Sequence, residues 1–308
     1  MITAILDASL GGVAVAIEEM AQMPGVAGLY RRALAASVTR RRQHAGPLPA
    51  TELVVRGVAI EREHLWRYAR VCGFRLTDAL PPTYPHVLAF PLALELMTRD
   101  EFPFTLIGLV HIGNTIEQLG AVDAGERLDF AVRAESLREH DRGHAVDVVT
   151  TLTVNGSVFW RGRATYLRRD GAKGGRRNQG DRRDRSDRRD PNGGPPAADA
   201  LWRVGVDVGR AYAAASGDRN PIHTSTLAAR AFGFPRRIAH GMWSTARCLG
   251  ALEGRVPDQF TVDVLFKLPI LLPATVGFSS ARAANGGWRF ALHDATSGRP
   301  HLDGSLAV

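Results

Sequence analysis

The residues best suited to chemistry lie in one stretch, SGDRNPIHTSTLAARAFGFPRRIAHGM, which spans residues 216–242. An acid, Asp218, and an imidazole, His223, stand five positions apart. Pro221 between them forces its predecessor Asn220 out of helical geometry, so we predict a turn here and not a helix. Such a turn lets the carboxylate and the imidazole share one water, take its proton and later return one. The sequence therefore predicts an acid–base pair, with the Asn220 amide as a supporting group.

A second feature follows at IAHGM, residues 238–242, where a long apolar helix is predicted to begin. The Gly241 N–H would be one of the unpaired donors at the helix N-terminus, where the helix dipole favours negative charge. A carbonyl oxygen that becomes an enolate can be stabilised there, and glycine allows a close approach to the backbone. We therefore predict Gly241 as an oxyanion donor. His240 beside it is expected to make a structural hydrogen bond, with direct catalysis as the alternative.

Other polar residues have plainer interpretations. Arg236 and Arg237 either bind phosphate groups, for which a guanidinium is well suited, or form a solvated surface pair. In the first half of the chain, His86 and His111 are expected to be core or edge histidines with satisfied hydrogen bonds. Cys248, on the predicted long helix, is expected to pack and not to act as a nucleophile.

Composition limits the class of protein. With 308 residues, of which 45% are apolar, the chain can bury one large core or two smaller ones. The two cysteines match no redox spacing, and no His/Cys cluster has metal-ligand spacing, so we predict neither a metal nor a redox cofactor. No apolar run approaches the roughly 18–20 residues that cross a bilayer. The first 20 residues favour a surface or docking helix over a signal peptide, and a cytoplasmic protein is expected.

The net charge of +8 does not indicate a nucleic-acid partner. Residues 168–190 hold ten Lys/Arg and five Asp and so carry +5 of that charge. The segment 169–199 lacks periodic apolar residues and is rich in Gly, Arg, Asp and Pro, which predicts a flexible linker. An Arg-rich arm that contacts RNA or anionic lipid is the alternative, although acids every two or three residues neutralise the arm locally.

The predicted linker separates two stretches that align with one another. YARVCGF (68–74) matches YAAASGD (212–218) at an offset of 144, and QLGAVDAGERLDF (118–130) matches FKLPILLPATVGF (266–278) at an offset of 148. No single pairing is specific, but two blocks at nearly the same offset indicate a duplicated unit.

Each unit is predicted to contain a Tyr-containing helical turn, an apolar helix and a series of strands. The apolar helices are expected at 90–100, where Pro91 would stand harmlessly near the start, and at 241–254. Alternating or β-branched segments predict strands at 110–118, 127–139, 144–154, 158–167, 260–268, 274–283, 287–293 and 301–308. A long helix followed by antiparallel strands is typical of an α+β unit whose sheet wraps round the helix.

The two units differ where the chemistry lies. In the first unit, apolar Phe74, Leu76 and Ala79 occupy the positions of the acid, the amide and the imidazole. If those polar groups served only the fold, the sister unit should need similar ones. We therefore predict that the second unit carries the chemistry and that the first is a scaffold and part of the substrate pocket.

The segments YAAASGDRNPIHTSTLA and GFPRRIAHGM resemble the hydratase motif of the MaoC-like (R)-specific enoyl-CoA hydratases and 3-hydroxyacyl-thioester dehydratases. The matching positions are Tyr212, Ser216, Gly217, Asp218, Asn220, Pro221, His223 and the HGM of 240–242. The first unit is similar to the degenerate N-terminal hotdog of double-hotdog members. The resemblance implies an α+β double-hotdog fold, with a degenerate hotdog at 1–168 and a catalytic hotdog at 200–308.

The resemblance also implies a reaction, the reversible hydration of trans-2-enoyl thioesters to (R)-3-hydroxyacyl thioesters carried by CoA or acyl carrier protein. Asp218 and His223 would act on the water and the Gly241 amide would bind the oxyanion. Some members have a serine about eight residues after that glycine, where this chain has Leu249, and Thr245 is a possible substitute. The supporting residues would be Asn220, Ser216 and His240.

Two other hypotheses remain open at this point. A hotdog acyl thioesterase needs no histidine five residues after the acid, so the motif argues against that activity. A non-catalytic acyl-thioester or nucleic-acid binding module would use the Arg-rich segment. Two hotdogs in one chain resemble a dimer, so both a monomer and a homodimer are compatible with the sequence.

Overall fold

The computed structural model describes residues 2–5, 15–39, 46–169 and 195–308. Most of the predicted linker, residues 170–194, lies outside the described residues. At its two ends, Arg169 is the last residue of a strand, and the Asp199 N–H donates to the Phe278 carbonyl at 2.8 Å.

The described ranges contain twelve strands and seven helices. The strands are β1 (Ile2–Ile5), β2 (Val15–Glu19), β3 (Thr51–Val58), β4 (Leu109–Gln118), β5 (Leu128–His140), β6 (Gly143–Val154), β7 (Ser157–Arg169), β8 (Ala200–Val204), β9 (Phe260–Phe266), β10 (Ala274–Arg282), β11 (Trp288–Asp294) and β12 (Pro300–Ala307). The helices are α1 (Val26–Thr39), α2 (Arg62–Cys72), α3 (Tyr84–Thr98), α4 (Val208–Ser216), α5 (Pro221–Thr224), α6 (Thr226–Ala231) and α7 (Gly241–Ala251).

The strands form one sheet in the order β1-β2-β3-β5-β6-β7-β4-β9-β12-β11-β10-β8. The run from β3 to β4 has the same succession of strands as the run from β8 back to β9, so these ten strands form two equivalent halves, and β1 and β2 extend the first. The two halves join where β4 pairs antiparallel with β9, with Ile116 opposite Val262. All neighbouring strands are antiparallel except β2 and β3. This is the predicted α+β double-hotdog architecture.

Each half of the sheet curves round one apolar helix. Helix α3 buries eleven of its fifteen residues, and α7 buries seven of its eleven, because both are apolar on nearly every side. One continuous hydrophobic core runs through both halves. The aligned tyrosines of the duplicated units, Tyr68 on α2 and Tyr212 on α4, meet with ring centroids 6.1 Å apart.

The eight strands predicted from periodicity are confirmed, with bounds within two residues. Helix α3 differs from the prediction, because it begins at Tyr84 and has Pro91 in its interior, with Pro85 in the first turn. Burial of the helix within the core outweighs the backbone hydrogen bond that an interior proline removes. Strands β3 and β8, which begin the two equivalent runs of the sheet, were not predicted from the sequence.

The expected N-terminal helix is wrong for the described part of residues 1–20, where β1 and β2 are strands. The alternation in VAIEE favours a strand once the edge of β3 is available, and β2 pairs with that edge. A helix does follow, at α1. Among the residues that the structure describes, no helix is long and apolar enough to cross a membrane.

Candidate active site

The predicted acid–base residues lie on a tight turn between α4 and α5. Gly217 ends α4 in the left-handed region, at φ 74°, which glycine adopts without strain. The chain then turns at Asn220, at φ −52° and ψ 123°, and Pro221 begins the single helical turn of α5. The expected departure of Asn220 from helical geometry is confirmed, while the next four residues form one helical turn.

Asp218 is held by hydrogen bonds from three elements. Its Oδ1 accepts a bond of 2.7 Å from the Tyr30 hydroxyl on α1 and one of 3.1 Å from the Asn220 N–H. Its own N–H donates to Ser216 Oγ at 3.2 Å. Burial works to raise the pKa of this carboxyl, but His240, His223 and the two donors to Oδ1 hold it below its ordinary value. Asp218 is therefore ionised at neutral pH.

His223 is 8% exposed, and its ring is oriented by the backbone. Its Nδ1 lies 2.9 Å from the Ile238 carbonyl, which can only accept, so Nδ1 donates and Nε2 keeps the lone pair. Burial lowers the pKa of His223, against the opposing effects of Asp218 and Ile238. A neutral imidazole with a free Nε2 lone pair is the form required of a general base.

His240 stacks on His223, with ring centroids 3.6 Å apart and an interplanar angle of 25°. Its Nε2 donates to the Asp218 carbonyl at 3.0 Å and lies 3.9 Å from Asp218 Oδ2. Its Nδ1 is buried and has no hydrogen-bond partner among the described residues. Burial, and then the neighbouring His223, lowers the pKa of His240 to about 3. The ring therefore connects the turn to the start of α7.

Asp218, His223 and His240 place potential ligand atoms within 4.8 Å of one another. A metal at roughly 2 Å needs imidazole lone pairs that converge in their ring planes. Stacked rings place such lone pairs in two nearly parallel planes, and one ion cannot lie in both, so these two histidines cannot both ligate one ion without rotating. The arrangement suits a shared water better than a metal.

Gly241 is the first residue of α7, a position whose N–H has no acceptor within the helix. A Cβ added there would lie 2.9–3.1 Å from three ring atoms of Phe266 on β9. A side chain at position 241 would therefore require the Phe266 ring to move, and the N-terminus of α7 directly follows His240.

The supporting residues are held in local contacts. The Asn220 side chain caps α5 by accepting from the Ile222 N–H at 3.4 Å, and Ser216 is buried beneath Asp218. Thr245 is fully buried and donates to the Gly241 carbonyl at 3.4 Å, and Leu249 is part of the core.

The two arginines before Ile238 differ. Arg236 is exposed, whereas Arg237 is partly buried. The Arg237 Nη1 atom is buried without a hydrogen-bond partner in the described part of the chain. The Nη1 atom of Arg237 therefore remains able to donate to an acceptor that is not part of the described chain.

The sequence did not reveal which residues of the first half of the chain face Asp218. His111 on β4 lies 4.8 Å from Tyr166 on β7 and 5.0 Å from Phe266, measured between ring centroids, and 6.2 Å from His86 on α3. Burial lowers the pKa of His86 to about 4, and burial with His86 lowers that of His111 to about 3; the Asp218 charge opposes both shifts. No motif marks these residues.

His111 was expected to have satisfied hydrogen bonds. Its Nε2 is instead buried with no partner among the residues that the structure describes. The ring is held by aromatic contacts on two sides, which explains how a polar atom stays in this position.

Comparisons with known proteins agree with the fold and with the motif. Residues 202–301 match the MaoC-like domain. Over 289 residues, the chain is 37% identical to 3-hydroxyacyl-thioester dehydratase X of Mycobacterium tuberculosis, covering 93% of this chain and 99% of that protein. The crystal structure of HtdX from the same organism superposes with a TM-score of 0.72 at 36% identity, over 83% of this chain and 99% of that one.

A MaoC-like dehydratase from Phytophthora capsici is more distant, with a TM-score of 0.65 at 20% identity over 83% of this chain and 94% of that one, and shows the fold alone. The motif of the second half, the paired halves of the sheet and the likeness along nearly the full length lead to one conclusion. The chain belongs to the family of MaoC-like dehydratases.

Proposed function

We propose that the protein reversibly adds water to trans-2-enoyl thioesters and so interconverts them with (R)-3-hydroxyacyl thioesters. The observation that carries the proposal is the juxtaposition of ionised Asp218 and neutral His223, next to the N-terminus of α7. The relative from Mycobacterium tuberculosis, named a 3-hydroxyacyl-thioester dehydratase, supports the same reaction class.

In the hydration direction, Asp218 and His223 bind one water and remove a proton from it while its oxygen attacks C3. The electron pair of the C2–C3 double bond moves towards the thioester carbonyl, whose oxygen becomes an enolate. The Gly241 N–H and the positive end of α7 stabilise that charge. The acid–base pair then returns the proton to C2. No metal or redox step is part of this scheme.

The carrier of the acyl group is CoA or acyl carrier protein, both of which present phosphate. Arg236 and Arg237 follow His223 by 13 and 14 residues. Arg236 is exposed, and the Nη1 atom of Arg237 has no hydrogen-bond partner among the described residues. A guanidinium group suits a phosphate group. We further propose a cytoplasmic protein that acts as a monomer or a homodimer and has no nucleic-acid partner. The degenerate hotdog at 1–168 would complete the pocket of the catalytic hotdog at 200–308.

The first test is hydration of crotonyl-CoA and of longer enoyl-CoA thioesters, followed by the loss of the conjugated enoyl absorbance and by chiral analysis of the product. Asp218→Asn and His223→Ala are each expected to lower kcat by about 10²–10⁴-fold, because each removes a group that transfers the proton. Exposed Asp207→Asn and His140→Ala serve as matched controls and should retain activity. Full activity in both site variants would refute the proposal.

A further inference from the structure

Helix α1 contributes a hydroxyl to the site from a part of the chain far from the motif. Tyr30 is 188 residues from Asp218, and its hydroxyl donates to Asp218 Oδ1 at 2.7 Å. Helix α1 lies outside the stretch matched by the MaoC-like domain, which spans 202–301. The contact is therefore made by an element that the motif itself does not include.

Two positions on one face of α1 touch the motif. A Cβ placed on Gly217 would lie 3.6 Å from Val26 Cγ2, so Val26 packs against the residue that precedes Asp218. Tyr30 follows Val26 by four residues, which places both side chains on the same side of the helix. Helix α1 thus contacts the turn at Gly217 and at the Asp218 carboxylate.

The position of α1 is fixed by a small hydrophobic cluster that is separate from the main core. Leu29 packs with Phe90 and Leu94 of α3, and Arg32 forms an ion pair with Glu95 of α3. Tyr30 is held between this cluster and Asp218. The packing of α1 on α3 therefore sets the position of the Tyr30 hydroxyl.

The hydroxyl stays a donor throughout the neutral range. Burial, then the Asp218 charge and the hydrogen bond to it, raises the pKa of Tyr30 far above its ordinary value. Because Oδ1 accepts from Tyr30 and from the Asn220 N–H, those two bonds fix the carboxylate plane. Oδ2, on the side of His240, is left for the reacting water.

We propose that Tyr30 is a positioning residue for the hydration reaction, which fixes the Asp218 carboxylate so that its Oδ2 faces the water shared with His223. This proposal rests on the proposed function and adds α1 to the machinery of the site. Tyr30, His223 and His240 lower the pKa of Asp218. The Asp218 charge in turn raises the pKa values of His86, His111, Tyr166 and Tyr212, which face it from the surrounding elements.

The test compares wild type with Tyr30→Phe, which removes only the hydroxyl. Loss of a hydrogen bond to a carboxylate should raise the pKa of Asp218 by about one unit. We expect kcat to fall about tenfold and KM to change little. The matched control is Tyr84→Phe, because the Tyr84 hydroxyl makes a 2.7 Å bond with His64 Nδ1 away from Asp218. This control should leave kcat and the Asp218 pKa unchanged.

A second measurement does not depend on activity. The Asp218 carboxyl carbon, assigned with Asp218→Asn, is titrated by ¹³C NMR in wild type and in Tyr30→Phe, and its pKa should be higher in the variant. An unchanged Asp218 pKa or an unchanged kcat in Tyr30→Phe overturns the proposal, as does an equal change in Tyr84→Phe. If wild type does not hydrate enoyl thioesters but the Asp218 pKa still rises, the proposed reaction fails while the contact between Tyr30 and the carboxylate stands.

Discussion

Asp218, His223 and His240 occupy one small space in which burial governs the protonation of each side chain. Burial raises the pKa of the Asp218 carboxyl, but His240, His223 and the hydrogen-bond donors around it lower that pKa below its ordinary value, so the carboxyl is ionised at neutral pH. The same burial keeps the two imidazoles neutral. An ionised acid beside a neutral imidazole is thus the resting state at neutral pH, and it needs no proton rearrangement before water is bound.

The pH dependence of activity tests this assignment. Asp218 and His223 both act in their deprotonated forms, and the pKa of each is lowered, so each is half protonated only below pH 6.5, the ordinary histidine value. We expect the acid limb of the kcat/KM profile to be centred below pH 6.5. Return of each sample to pH 7 before assay controls for irreversible unfolding. An acid limb centred above pH 6.5 would contradict the assignment.

At the scale of helices and strands, the catalytic turn is held by close packing against α4. A Cβ on Gly209, in the first turn of α4, would lie 2.2 Å from the His223 carbonyl oxygen and 3.5 Å from Leu272. The backbone of the turn would have to move, since no flexible side chain can yield there. Gly209 therefore determines how closely α4 approaches the residue that presents the imidazole.

Gly209→Ala is expected to destabilise the protein by about 1–3 kcal/mol and to lower kcat at least about tenfold, because the methyl group displaces His223. The loss of stability should appear although alanine is the better helix former by about 1 kcal/mol. Denaturant unfolding and the hydration assay measure the two effects. Gly205→Ala is the matched control, since its Cβ would meet no atom within 4 Å in the part of the chain described. Equal stability and activity of the two variants would show that the close contact is unimportant.

Across the whole molecule, the two halves share one core, and the site lies where they meet. The acid–base pair comes from the second half, while Tyr30, His86 and His111 approach from the first. Several of these groups are histidines that burial keeps neutral: the pKa is about 4 for His86 and about 3 for His111 and for His240. The stability of the fold is therefore tied to pH.

Acidification should destabilise the protein well before carboxylates titrate. Below pH 6.5 the unfolded chain binds protons on these histidines while the folded chain does not, so the free energy of unfolding decreases as the pH falls. At pH 5 each of the three contributes a loss of roughly 2 kcal/mol relative to pH 7. Urea unfolding at pH 7 and at pH 5 measures this difference in the free energy of unfolding. His111→Gln should lose less stability on acidification than wild type, and equal stability of wild type at both pH values would refute the prediction.

The sequence by itself determined eight of the twelve strands that the structure describes, the presence of the two core helices, the duplication and the residues of the turn. These features are encoded locally, because apolar periodicity selects helix or strand, and Pro221 bends the chain at Asn220 whatever surrounds it. The motif also identified the family. The comparison with Phe74, Leu76 and Ala79 indicated which half carries the polar residues.

Only the tertiary structure decided which other groups surround Asp218. Tyr30 reaches it because Leu29 packs on Phe90 and Leu94, and no spacing in the sequence encodes a contact across 188 residues. The stacking of His240 on His223 likewise depends on where α7 begins relative to α5. The early residues became strands because β3 offers an edge, and α3 kept Pro91 inside because the core favours the helix. Contacts of this kind depend on the burial of distant segments together, which local pattern cannot specify.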